Sequence, residues 1–459
     1  MSKKWYLGVL LCVVWASTTV ADYLTPSLRQ EVNQLKQDVA LGPTTVADAR
    51  LRADIAWRWL NAMALTGRFL PVNMPTAIRP ITAVPPRKAQ LAQLDAYINE
   101  LILLDEEPQA LGKLEADLGP FQAASWVTFS QRYTVGSRGI KTGGGLLIAR
   151  HFMPGYGRYQ VTDPAADNYV SLTGNRPDVR FEPDTIAVAG MHGGFRGAQG
   201  SLVFRLAEGE LAPGDQVTIT YGDRSGGSRG LWMTPIATDF LPVPVYVALQ
   251  PFTSAMDFYA LPIQPIEVKG SKPHGVHGFA PSVVRPGESF DLAVRVQDRY
   301  YNRAVGKHSG FRVLANDGLL ATVASSEDPI TVLRGLKIDA PGVYHIRIVS
   351  KDGLIEGDAN PMLVSPDARR IYWGDTHGHS GFAEGLGSAT HFMTWAKEDA
   401  RLDFVTHSEH DIWMDDLEWQ ILRDHVKDYS EPGRFIAYLG YEWTTAGPYG
   451  GHHNVLFRD

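Results

Sequence analysis

Eight of the chain's fourteen histidines lie within its last ninety residues, interleaved with carboxylates. His377-Gly-His379 comes first, Glu409-His410-Asp411 follows, then Gly440-Tyr-Glu442-Trp443, and finally Gly451-His452-His453-Asn. Imidazole and carboxylate together form a donor set for divalent cations such as zinc, manganese or iron. Two histidines separated by one residue at a strand end can turn both imidazoles toward an ion, and alternate residues of a strand share one face. Glu442 is placed to chelate one ion or bridge two. A carboxylate beside the histidines, such as Asp375 or Glu409, can orient an imidazole from behind. The one cysteine, Cys12, lies inside an apolar N-terminal run, so thiolates are excluded as ligands and nucleophiles in a processed chain.

These residues need elements to position them. Residues 371–374 read as a strand, 389–400 as a helix with Phe392, Trp395 and Ala396 on one face, and 402–407 and 435–442 as strands. That alternation is α/β and predicts a barrel-like arrangement, in which polar groups gather at the C-terminal ends of parallel strands. His377 and His379 follow the first strand, Glu409-His410-Asp411 the second, and Glu442 the third. His391 and His425 fall within helical stretches and read as structural, whereas His407 reads as buried or as supporting a ligand.

Upstream, residues 22–119 carry apolar residues at helical spacing, including Leu28, Val32, Leu35 and Val39, then Leu91, Leu94, Ile98 and Leu101, with a proline-bearing break over 71–86. Residues 120–265 read as a β-sandwich-like domain of short alternating strands, such as 125–129, 145–149 and 216–221, separated by Gly-rich turns. Gly143-Gly-Gly and Gly193-Gly-Phe-Arg-Gly lack a phosphate-loop lysine and read as hairpin turns. Residues 275–364 read as an immunoglobulin-like β module, with strands over 283–298 and 340–349. His345 there reads as packed or solvent-facing.

At 459 residues the chain is long enough for several domains. A net charge of −7 and the lack of any dense Lys/Arg run exclude an electrostatic footprint for nucleic acid. Lys3, Lys4, a short apolar core and Thr19-Val20-Ala21 make a secretory signal cut after Ala21, giving a periplasmic or secreted protein without a stable membrane span.

The C-terminal motifs resemble a known superfamily. His377-Gly-His379-Ser-Gly-Phe-Ala-Glu384-Gly is similar to the first motif of PHP (polymerase and histidinol phosphatase) domains, and Leu402-Asp-Phe-Val-Thr-His-Ser-Glu409-His410-Asp411 to the second. Trp373-Gly-Asp, Gly440-Tyr-Glu-Trp and the final His-x-Asn-Val-x-Phe-Arg-Asp are closest to secreted PHP-like proteins known as domain of unknown function 3604. The resemblance covers the last ninety residues or so. It implies that residues 366–459 begin a distorted (β/α)7 barrel with two or three divalent ions. It makes His377, His379, His410, Glu442 and His452 ligands, with Glu384 at a further ligand position and His452 preferred over His453. Glu409 stands where the family has Asp.

The activity so implied is metal-dependent hydrolysis of a small-molecule or glycan-linked ester, most simply a phosphoester, by a metal-activated water. Glu409 and Asp375 would tune the ligand histidines. The family's closing Asp-x-His does not occur after Asp411, which predicts weak metal binding and little activity for these 459 residues. Two other readings are open. One is a glycan- or partner-binding surface protein with a structural metal site, its exposed aromatics at Tyr300-Tyr301 suited to sugar stacking. The other is an amidohydrolase-like enzyme acting on a non-phosphate bond.

Overall fold

The computed structural model describes residues 24–64, 88–107, 109–117, 119–152, 155–186, 198–262, 265–367, 369–381, 385–411, 414, 416–444 and 451–457. The expected signal segment, the proline-bearing break, the Gly193–Gly197 turn and Glu384 lie outside them.

Three helices open the described chain: Pro26–Leu41, Ala49–Ala64 and Lys88–Glu106. The first starts where Thr25 accepts a hydrogen bond from the Leu28 amide and Pro26 supplies a preset φ. Leu28, Val32 and Leu35 are buried on one stripe of it. These helices are not a separate layer. One continuous core runs from Leu24 through Trp59, Tyr97 and Leu101 to Leu146, Val217 and Val268, so the helices and the first β unit share their interior.

That β unit is a sandwich. A four-stranded sheet containing Phe129–Thr134 and Gln216–Tyr221 faces a five-stranded one containing Gly145–His151 and Ala198–Glu208. Buried Gln131 donates to the Val243 carbonyl and accepts from the Tyr221 hydroxyl. Its polar groups are thus satisfied inside the apolar core. Residues 125–129, expected as one strand, divide into Trp126–Val127 and the start of Phe129–Thr134, because the two pieces pair in different sheets.

A second core, including Val276, Val294, Phe311, Val313, Ile346 and Ile348, lies in another β-sandwich unit. Its main sheets contain Gly275–Phe279 with Phe290–Gln297, and Phe311–Ala315 with Ile346–Ser350. The expected 340–349 strand is interrupted at His345, since Gly342–Tyr344 pairs in one sheet and Ile346–Ser350 in another. His345 itself is exposed. Asn302 joins the two units by accepting from the Ala237 amide and donating to the Pro235 carbonyl.

The described C-terminal residues build a four-stranded sheet, and the expected (β/α)7 barrel is not shown among them. Gly374–Asp375, Phe404–His407 and Ile436–Trp443 are parallel neighbours, but His453–Leu456 returns antiparallel to Ile436–Trp443. A β/α barrel requires a parallel strand there, reached through a helix. Residues 371–373, expected as strand, remain exposed outside it. The helix expected over 389–400 is α-helical only through Ala389–Thr394, then continues as a π turn over Trp395–Asp399. A small core of Met393, Ala396, Val405, Phe435 and Ala437 sits between this helix and the sheet. No helix among the described residues is long and apolar enough to cross a membrane.

Candidate metal centre

The C-terminal ends of the three parallel strands bring the polar clusters together. Glu442, near the end of Ile436–Trp443, is buried and central. Its Oε2 lies 2.9 Å from His379 Nε2, 3.5 Å from His410 Nδ1 and 3.7 Å from His377 Nε2. Its other oxygen, Oε1, contacts His452 Nδ1. Two groups of donors result, His377–His379–Glu442 and His410–Glu442–His452, each with its ligand atoms within 4.8 Å of one another.

Local backbone contacts hold these residues in place. Asp375 accepts from the His377 amide at 3.0 Å, and Asp411 accepts from the Thr444 amide at 2.9 Å. A bridge between His410 and Glu442, with the Glu442 amide donating to the Glu409 carbonyl, aligns the second and third strand ends. The rings of His379 and His410 stack 4.5 Å apart, with His377 and His452 edge-on to them.

The donor set fits a divalent ion. Ligand atoms about 2.0–2.2 Å from a tetrahedral ion lie roughly 3.3–3.6 Å from each other. The distances around Glu442 Oε2 bracket that edge length. The outer contacts fit as well, because a ligand imidazole ordinarily uses its second nitrogen to hydrogen-bond an oxygen behind it. His377 Nδ1 lies 2.9 Å from the amide oxygen of Asn454. His410 departs from this pattern, since the Nδ1 that lies 3.5 Å from Glu442 is itself 2.7 Å from Thr444 Oγ1. Glu409 Oε2 stands 3.6 Å behind His379 Nδ1.

Glu409 is fully enclosed. Burial works against its charge, yet His407 at 2.6 Å and His379 outweigh it and hold the carboxyl well below the usual carboxylate range. Ser380 adds two hydrogen bonds, from its amide at 2.7 Å and its hydroxyl at 2.6 Å. His407 is buried, stacks on Phe392 and lies behind the ligand shell, where the sequence placed it.

Asp375 does not play the part expected of it. Its carboxylate ties down the His377 backbone rather than an imidazole, because a two-residue reach returns it to the chain. His452 faces Glu442, while His453 stacks on Trp443 at the sheet edge. His391 lies 3.8 Å from Asp239, and His425 packs edge-on to Tyr429, both away from the centre. Asn454, Thr444 and Ser380 went unassigned in the sequence. Only their nearness to the motif residues could have marked them.

No family model matches the chain. This overturns the expected membership of the PHP superfamily and its domain of unknown function 3604 branch. The phosphoesterase and hydrolase assignments built on that membership fall with it. Short motifs of His, Asp and Gly recur wherever strand ends collect polar groups, and matching them did not identify a family.

Among curated proteins, an uncharacterized protein of Chlamydia muridarum is 24% identical over 200 residues, covering 42% of this chain and 32% of its own length. One of Chlamydia trachomatis is 23% identical over the same span. The chain thus spans about a third of the length of the curated relatives it matches. Among solved structures, the D0–D1 domain of intimin aligns over 55% of this chain and 97% of its own, at 10% identity and a TM-score of 0.17. The Yersinia pseudotuberculosis adhesin InvE aligns over 57% and 63%, at 11% identity and a TM-score of 0.17.

Proposed function

We propose that this chain is an exported binding protein whose β-sandwich units present ligand-binding loops and whose C-terminal α/β segment holds a divalent metal ion. One observation carries the metal reading: a single buried carboxylate, Glu442, has nitrogens of four imidazoles within 3.7 Å of its two oxygens. His379, His410 and Glu442 form the buried side of the site, and His377 and His452 the solvent side. Zinc, manganese or iron suits this nitrogen-rich set better than calcium or magnesium, which take oxygen ligands. The proposed export rests on the basic, apolar and small-residue order of residues 1–21.

A second reading makes the same centre enzymatic. The half-exposure of His377 and His452 favours it, because a metal reached by solvent from that side can keep a bound water. An ion held there would acidify such a water, and Glu409, 3.6 Å behind His379 Nδ1, would fix that imidazole.

The deciding measurement is calorimetric titration of the chelator-stripped chain with Zn²⁺ and Mn²⁺. Saturable binding is expected, and a His379→Ala/His410→Ala double variant should lose it. Equal uptake by that variant would place the ion elsewhere and sink the reading.

A further inference from the structure

A cavity of about 480 Å³ opens at one end of the second β-sandwich unit, away from the histidine cluster. Pockets for small organic ligands usually measure roughly 300–1,000 Å³. Three loops converge on it: residues 272–274 before Gly275–Phe279, residues 307–309 before Phe311–Ala315, and the 350–355 turn that follows Ile346–Ser350. Loops gathered at one end of a sandwich are where such folds carry recognition.

The lining is amphipathic and charged. Lys272 and Lys307 reach it from two different loops, and neither makes an ion pair among the described residues. His274 adds a third nitrogen group. Asp352 is the one carboxylate in the lining. Pro273, Leu354 and Ile355 supply an apolar wall, and Leu354 is largely exposed.

The loops are also fixed in advance. His308 is buried, takes a hydrogen bond from the Gly310 amide on Nδ1, and places Nε2 3.2 Å from the Asp328 carbonyl. Gly310 has φ +85, and a Cβ there would lie 2.6 Å from the Val323 carbonyl oxygen, so only glycine fits. The Lys351 amide donates to the Gly310 carbonyl, clamping two of the loops together. Asp352 accepts from the Ser350 hydroxyl at 2.7 Å and the Leu354 amide at 3.1 Å. Those contacts hold its carboxyl below the ordinary range.

From this lining we infer that the cavity binds a sugar acid of monosaccharide size, such as a hexuronate unit of an acidic glycan. The two lysines would take the carboxylate. Asp352 would accept ring hydroxyls, and the ring's apolar face would lie on Leu354, Ile355 and Pro273. This deepens the binding-protein reading above by naming a site and a ligand class, and it is independent of the metal.

Calorimetric titration of the full chain with D-glucuronate, in EDTA, tests it. Saturable binding is expected, with D-galactose and L-glutamate at least about tenfold weaker. A Lys272→Ala/Lys307→Ala variant should lose affinity roughly tenfold or more. Both lysines are exposed, so that variant should keep its unfolding midpoint and its Zn²⁺ uptake. Failure of glucuronate to saturate overturns the inference. So does unchanged affinity in the double variant, or glutamate binding as tight as glucuronate. Because EDTA is present throughout, loss of the metal reading leaves the result intact, and the reverse also holds.

Discussion

Glu442 and His379 meet at 2.9 Å between Oε2 and Nε2, and both are reached from separate parallel strands. The carboxylate is the single group common to both donor triads. Glu442→Gln keeps the shape and removes the charge, so it should weaken Zn²⁺ binding at least about tenfold, as loss of a ligand or its partner ordinarily does. Isothermal titration of variant and parent checks this. Binding unchanged by the substitution would show that the imidazoles alone hold the ion.

Metal removal should be felt as stability. An ion that binds only the folded state adds about 2.7 kcal/mol when present at a hundred times its dissociation constant. Chelation should therefore lower the unfolding midpoint of the C-terminal segment and leave the two β-sandwich cores unmoved. Hydrogen exchange resolved by segment would read the difference, with protection lost over residues 404–411 and 436–444. Loss spread evenly over the whole chain would contradict a local site.

Arg303 grips Asp399 through Nε and a terminal nitrogen, each 2.6 Å from a carboxylate oxygen, and Arg295 donates to the Asp399 carbonyl. Asp399 lies on the π turn of the C-terminal segment and its side chain is 5% exposed, so this pair joins that segment to the second β unit. Arg303→Ala would leave a nearly buried carboxylate without its partner. Discounting for the half-exposed arginine, the cost should be about 1–3 kcal/mol, read by denaturant unfolding. An Arg303→Ala/Asp399→Ala double variant should recover part of it. No recovery would mean that Asp399 is held chiefly by its backbone.

Much of this was legible in the residues because alternation and helical spacing are local signals. Gln216–Tyr221 and Phe404–His407 fall where period-two patterns put them, and Leu28, Val32 and Leu35 face inward as their spacing required. His410, Glu442 and the His377/His379 pair converge because each follows or ends a parallel strand. What failed was information that local pattern does not carry. Residues 125–129 and 340–349 each split because one piece crosses to another sheet. The direction of pairing, antiparallel at His453–Leu456, cannot be read from composition. Asp375 was misassigned because a side chain two residues away can reach backbone as readily as a ring.

The shared core gives the last expectation. Leu101 is fully buried on Lys88–Glu106, in the same interior as Leu146 and Val217 of the sandwich. Glu100 beside it accepts from the Ala260 amide at 3.0 Å, so the helix is hydrogen-bonded to the sheet as well as packed on it. Leu101→Ala should cost about 2–5 kcal/mol, the range for emptying a buried leucine site. Because helices and sheets bury one another, that loss should move helical and β-sheet signals together. Far-ultraviolet circular dichroism and tryptophan fluorescence, followed through the same denaturant series, should then give coincident first transitions. Separate transitions, with the β signal unmoved by the substitution, would show that the helices fold independently of the sandwich.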